Sequence, residues 1–313
     1  MSNFVHLHLH TSYSLLDSSI RHEPLIKRAA EFGMPAVAMT DHGNMFGAIE
    51  FYNTAKKNNI KPILGCEVYV APESRHEKKS KDNLRDASYH LILLSENERG
   101  YKNLLRLITK GYLEGFYYKP RIDKEILAEY SEGLIALSSC VRGEVAHNVN
   151  RENVPRATKV ATQYAEIMGP NNFFLELQNH GLENQDHIIK EIIKIGRKLN
   201  IPVVATNNCH YLDKEDFRAH EILLCLQTGK TITDPYRMQY PADEFYFKSP
   251  QEMVELFKET PEAITNTLKI AERCELDLEF DKLNLPDYPV PESYTCLLYT
   301  SDAADDTPCV DLG

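Results

Sequence analysis

No stretch of the 313-residue chain approaches the roughly 18 uncharged apolar residues needed to span a bilayer. The opening MSNFVHLHLH has neither the basic n-region nor the apolar h-region of a secretory signal. The expectation is a cytoplasmic protein with no membrane partner. No CxxC pair occurs among the seven cysteines (Cys66, Cys140, Cys209, Cys225, Cys274, Cys296 and Cys309), and the chain is far too long to need disulfide staples. That spacing suits a reducing compartment. Basic residues are in deficit, 35 against 46 acidic, for a net charge of -11. A stand-alone, non-specific nucleic-acid binder is thereby disfavoured, because phosphate contacts are made by Lys and Arg. A nucleic-acid substrate is not excluded, since divalent cations in a cleft, or basic surface on another part of a larger polypeptide, can reverse the local sign.

What remains is an ordinary globular balance, 42% hydrophobic and 26% charged. Its length suits two domains, or one α/β barrel with an appendage. Short apolar, β-branched runs alternate with helical periodicity, the mark of βα units around a parallel sheet. Seven strands are predicted: 4–10, 35–42, 62–70, 89–95, 133–140, 173–178 and 201–212. Between them EPLIKRAAEFG, GAIEFYNTAKKNN, YKNLLRLITKGYL, VPRATKVATQYAEIMG and ENQDHIIKEIIKIGRKLN carry apolar residues at i, i+3, i+4 and i+7. Seven such units favour a closed or nearly closed barrel. The mixed-charge run 73–86 reads as a solvated loop. After residue 212 the pattern turns helical (DFRAHEILLCLQTG, SPQEMVELFKE, PEAITNTLKIAERC), suggesting a second region over 213–292 packed on a barrel of residues 1–212. Residues 293–313 match neither pattern and are expected to be a flexible end or a foreign extension.

The strongest chemical signal is HLHLH, in which His6, His8 and His10 alternate with Val5, Leu7 and Leu9. Period-2 geometry puts the three imidazoles on one strand face, neighbours about 6–7 Å apart, so that two can chelate one metal. Alone, this could be a solvated strand face. Similar residue types recur at other strand ends: Asp41 and His42, Glu67, His90, Cys140, and Asn208 with His210. The active site of a βα barrel lies where the βα loops converge, and histidine, carboxylate and thiolate at that rim suit Zn²⁺ or Mn²⁺ better than Ca²⁺. Asp17 adds one more carboxylate. His90 and Cys140 taken singly read as core residues, whereas Glu67 on an apolar strand calls for a cation or a partner. His10 and Arg142 are weaker candidates, for packing and for phosphate contact.

These residues resemble the PHP superfamily (polymerase and histidinol phosphatase), with its opening HxH strand, TDH strand end, lone acid, single histidines and terminal D-x-H. FVHLHLHTSYSLLDSSI, LIKRAAEFGMPAVAMTDHGNMFGAIEFY, IKPILGCEVYV, IPVVATNNCHYL and the later HEILLCLQTGKTITD, FKSPQEMVELF and PEAITNTLKIAERC are similar to the N-terminal part of bacterial replicative DNA polymerase III alpha subunits. The resemblance covers about residues 3–292. It implies a distorted (β/α)7, TIM-like barrel with up to three divalent metals, Zn or Mn, with Mg a further candidate. It puts His6, His8, Glu67 and Asn208 on one ion, Glu67, His90 and Cys140 on a second, and Asp17, His42 and His210 on a third. Asp41 is expected to act from behind a ligand histidine. Asn208 departs from the family, which usually has Asp there, and brings no charge.

A complete ligand set implies 3′-5′ exonuclease or phosphoesterase chemistry on a single-stranded DNA 3′ end, with no nucleophilic Ser or Cys. Relatives that lost ligands keep the domain as scaffold. The implied partners are the remainder of the polymerase III core and its proofreading subunit. The polymerase's own catalytic aspartates belong to a palm domain outside this chain. A free-standing histidinol-phosphatase-type enzyme is the third reading, which the helical region disfavours.

Overall fold

The computed structural model describes residues 3–78 and 88–280. Most of the charged run 73–86, residues 281–292 of the helical region and the tail 293–313 lie outside the described residues. Met1–Asp277 form one compact unit, and Leu278–Gly313 a second. The first contains, in order, α1 (His22–Glu31), β1 (Ala36–Met39), α2 (Ala48–Lys57), β2 (Lys61–Val70), β3 (Tyr89–Ser95), α3 (Glu98–Leu113), β4 (Arg121–Ile122), α4 (Lys124–Glu129) and β5 (Leu134–Leu137). It continues with α5 (Glu144–Asn150), α6 (Val154–Met168), β6 (Phe173–Leu177), α7 (Gln185–Leu199), β7 (Val203–Ala205), α8 (Phe217–Thr228), α9 (Pro250–Leu256) and α10 (Pro261–Arg273). The five helices anticipated between strands are α1, α2, α3, α6 and α7. Among the described residues no helix is long and apolar enough to cross a membrane.

The sheet runs β1-β2-β3-β5-β6-β7, with the two-residue β4 on the other side of β2. Residues 4–10 are extended without forming a regular strand, and they close the ring. Ala38 N–H donates to His6 O at 2.9 Å and Thr40 N–H to Leu9 O at 2.8 Å on one side, while His10 N–H donates to Cys209 O at 2.9 Å on the other. The expected distorted barrel is therefore present. It is not all parallel: β3 runs antiparallel to both β2 and β5. A parallel neighbour needs a crossover of a dozen or more residues, usually a helix, and no helix lies among the described residues between β2 and β3.

One apolar layer fills the lower barrel, drawn from every stave: Val5 and Leu7, Ala38, Ile63, Ile92 and Leu94, Ile135 and Leu137, Phe174 and Val204. Side chains of the same parity one or two steps up each strand are polar, among them Glu67 above Ile63 and Glu176 above Phe174. On reversed β3 the upward step leads towards the N-terminus, from Leu94 through Ile92 to His90. Helix α10 plugs the floor. Its Ile270 and Ala271, with Cys274 just after it, join the apolar layer, Thr267 Oγ1 accepts from Val5 N at 3.2 Å, Asn266 Nδ2 donates to Val203 O at 2.8 Å, and Lys61 Nζ donates to Ala271 O at 2.8 Å. Ile270→Ala should therefore destabilise the whole barrel by about 2–5 kcal/mol in chemical denaturation followed by far-ultraviolet circular dichroism. An unmoved main transition would show that α10 is only an appendage.

Candidate metal centre

Glu67 sits inside the barrel with no solvent exposure. Its Oε1 accepts from His90 Nδ1 at 2.8 Å and from Ser139 Oγ at 2.7 Å. Its Oε2 faces His10 Nε2 and His42 Nδ1, both at 3.1 Å, and His8 Nε2 at 3.6 Å. Burial alone would raise the Glu67 pKa, but the surrounding His90, His8 and His42 hold it well below the usual carboxylate range. Burial opposes charge on His8 and His42 as well, and the carboxylates outweigh it, pushing them up to about 10 and about 9. His10, buried against His42, is pushed down to about 3.

Two of these imidazoles, His8 and His10, are aimed from behind. His8 Nδ1 donates to Glu176 Oε1 at 2.6 Å, and Glu176 is itself held by Gln178 Nε2 at 2.8 Å and by the Thr206 hydroxyl. His10 Nδ1 donates to Ser14 Oγ at 3.1 Å, and the Ser14 hydroxyl donates to Asp41 Oδ1 at 2.7 Å. Asp41 spends its other acceptor positions on Thr11 N at 2.6 Å and Thr11 Oγ1 at 2.7 Å. It lies behind His10, orienting it through Ser14, and ties the first loop to β1, so it is a positioning residue. Two strained residues hold the rim. Leu16 and Ser139 lie in the left-handed region at φ 59° and 64°, next to Asp17 and against Glu67, where such strain is tolerated only because the surroundings over-determine it.

Asp17 Oδ2 lies 2.8 Å from His42 Nε2 and 3.7 Å from His210 Nδ1. Its backbone O accepts from His210 Nδ1 at 3.0 Å and from His220 Nε2 at 2.8 Å. His10 stacks between His42 and His210, with ring centroids 4.0 and 4.5 Å away. Ligand atoms fall within 4.8 Å of one another in the groups His8, His10, Glu67; His42, Glu67, His90; His10, His42, His210; and Asp17, His210, His220.

His6 does not join them. Its Nε2 donates to Lys248 O at 2.8 Å and its Nδ1 lies 3.5 Å from Cys209 Sγ, and burial pushes its pKa down to about 4. The cause is a bend at His8. Val5 and Leu7 face the apolar layer, and after the bend His8 and His10 face the same interior, so strict alternation is broken and His6 points out. His10, read from the sequence as packing, takes the place expected of His6. Cys140 is buried, accepts from Arg142 N at 3.5 Å and has its thiol pushed up to about 12 by burial; it belongs to none of the four groups. Asn208 Oδ1 is buried without a hydrogen-bond partner. Arg142 is exposed beside Cys140. Glu176, Ser14 and His220 are site residues that the motifs do not single out, although an acid in apolar FFLELQ carries the same signal as Glu67.

The donor set fits a divalent ion. His8 Nε2, His10 Nε2, His42 Nδ1, His90 Nε2 and Glu67 Oε2 are all buried with no hydrogen-bond partner, a costly condition for polar atoms. The 3.1–3.6 Å separations of Glu67 Oε2 from the His8, His10 and His42 nitrogens match atoms sharing an ion at about 2.1 Å. Asp41→Asn, which sets an amide N–H₂ against the Thr11 or Ser14 donors, should cost about 1–3 kcal/mol in denaturation with chelator present. Unchanged stability would remove Asp41 from its positioning role.

Two curated relatives carry the name DNA polymerase III subunit alpha: one from Borreliella burgdorferi, 46% identical over 95% of this chain and 26% of its own length, and one from Thermus aquaticus, 45% identical over 93% and 24%. The chain thus spans about a quarter of the length of these relatives. Among solved structures, an amidohydrolase from Chromobacterium violaceum superposes at a TM-score of 0.42 and 14% identity, covering 66% of this chain and 87% of its own. Residues 6–180, which contain every cluster donor named above except His210 and His220, match the PHP domain model. That match takes in more than half of the chain, and the protein belongs to the PHP domain family.

Proposed function

We propose that this chain is the PHP region of a DNA polymerase III alpha subunit, and that its barrel is a metal-dependent phosphoesterase acting as a 3′-5′ exonuclease on single-stranded DNA ends. The observation that carries the reading is the set of buried, unpaired imidazole nitrogens gathered on Glu67 Oε2. His8, His10, His42, His90 and Glu67 would hold up to two ions, Zn or Mn in preference to Mg, and Asp17 with His210 a third. When bound, such ions supply Lewis acidity for water activation and neutralise phosphate oxygens. The chain's own part is orientation: Glu176 fixes His8, Ser14 with Asp41 fixes His10, and the Asp17 carbonyl fixes His210. On this reading the barrel proper is 1–212, residues 213–292 lead towards the polymerase palm, and the partners are the rest of the polymerase core and its proofreading subunit in the cytoplasm. The net charge of -11 is then offset locally by the ions and elsewhere by the remainder of the larger polypeptide.

A second reading, a structural platform without catalysis, is favoured by two observations: the neutral amide at Asn208, and the engagement of His6 with Lys248 O rather than with the cluster. Metal analysis and a nuclease assay separate the two. The active reading expects about two or three equivalents of Zn or Mn per chain, digestion of a single-stranded 3′ end, and a loss of at least about 100-fold in Glu67→Gln. A preparation that refuses metal after reconstitution would leave only the platform. Asn208→Asp should tighten metal and raise the nuclease rate, and an unchanged rate with full metal occupancy would take Asn208 out of the ligand set.

A further inference from the structure

His210 differs from the other cluster histidines in one respect. Its Nδ1–H is committed to the Asp17 carbonyl at 3.0 Å, so Nε2 carries the lone pair available to a ligand. At His8, His10, His42 and His90 one ring nitrogen is buried and unpaired. At His210 the Nε2 position is taken, because Tyr240 Oη lies 3.1 Å away.

Tyr240 does not come from the barrel staves. It lies in the irregular segment between α8 and α9, and its ring packs edge-on against His220 and Phe245 at centroid distances of 4.9 and 4.5 Å. That segment is fastened on both sides. Arg237 Nη2 donates to Glu221 Oε1 on α8 at 2.6 Å. Beyond it, Asn207 Nδ2 donates to Glu244 O and Tyr246 O at 3.0 and 2.7 Å, and His210 N–H donates to Phe245 O at 2.8 Å. Residues 238–243 bridge the two anchors, so the phenol can leave His210 without loosening either.

We propose that Tyr240 gates metal binding at His210: the phenol caps Nε2 in the metal-free protein, and a divalent ion binds there only by displacing it. The inference rests on the metal-centre reading above. It makes the Asp17–His210 ion the weakest of the cluster and ties its occupancy to the segment that follows the barrel.

The test is Tyr240→Phe, which keeps the ring packing and removes the hydroxyl. Zn²⁺ or Mn²⁺ is titrated against a chromophoric chelator, with His210→Ala identifying which equivalent depends on His210. That equivalent should bind about two- to tenfold tighter in Tyr240→Phe, the worth of one ordinary hydrogen bond, with the other equivalents unmoved. Wild-type protein should give a phenol difference spectrum on metal addition that Tyr240→Phe lacks; exposed Tyr236→Phe should preserve both the spectrum and the affinities. The spectrum needs only wild-type protein, so it decides even if the variant folds poorly, and its absence while the His210 equivalent binds counts against the gate. Equal or weaker binding in Tyr240→Phe, with metal still bound by wild type, overturns the gate and leaves the metal centre standing. Metal retained by Tyr240→Phe alone supports the gate in its strongest form. Metal in neither protein sinks the metal centre and the gate together.

Discussion

A fully buried carboxylate dictates the upper half of this barrel. Desolvating Glu67 costs several kcal/mol, repaid only if positive charge and hydrogen bonds gather about it. The chain supplies imidazoles, and they divide the work. His8 and His42, each between two carboxylates, are held protonated well above their ordinary range, whereas His10 and His90 are kept neutral by burial. Two cations against the Glu67, Glu176 and Asp17 carboxylates is a nearly balanced account inside a low-dielectric wall. A divalent ion brings the same charge in one body and replaces protons that leave nitrogens pointing at one oxygen without hydrogen-bond alignment. Apo and metal-bound states are therefore two solutions to one electrostatic requirement around Glu67.

How much of this is legible in the sequence depends on whether the signal is local. Glu67 is legible because an acid inside GCEVYV has no apolar excuse, and Glu176 in FFLELQ is legible on the same ground. His90 is legible as a polar residue on an apolar strand, but its place at the rim follows only from the reversal of β3. A parallel β3 would carry His90, the second residue of that strand, to the floor. The reversal itself leaves a trace, since no helical periodicity separates residues 70 and 89. The alternation in HLHLH is legible while its phase is not. The bend at His8 is a tertiary consequence of pairing with Cys209 on one side and β1 on the other, and it exchanges His6 for His10. Ser14, His220 and Tyr240 lie beyond local patterns altogether, being defined by which loop oxygen or ring nitrogen they meet.

The residues after 212 bear on the site more directly than a separate region would. Lys248 O receives His6, and so holds the opening segment in the orientation that lets His8 and His10 turn inward. His220 shares the Asp17 carbonyl with His210 and fixes the loop carrying that carboxylate. Helix α10 covers Val5, Leu7, Ile63 and Val204, apolar side chains worth roughly 1.5–3 kcal/mol each when fully buried. A barrel cut at 212 would keep nearly all the donors named here, yet it would expose its floor and release both ends of the segment that aims its first two histidines. Chemistry that needs ligand atoms about 3 Å apart tolerates little slack, so the later helices belong to the physical definition of the metal centre even though they contribute few of its donors.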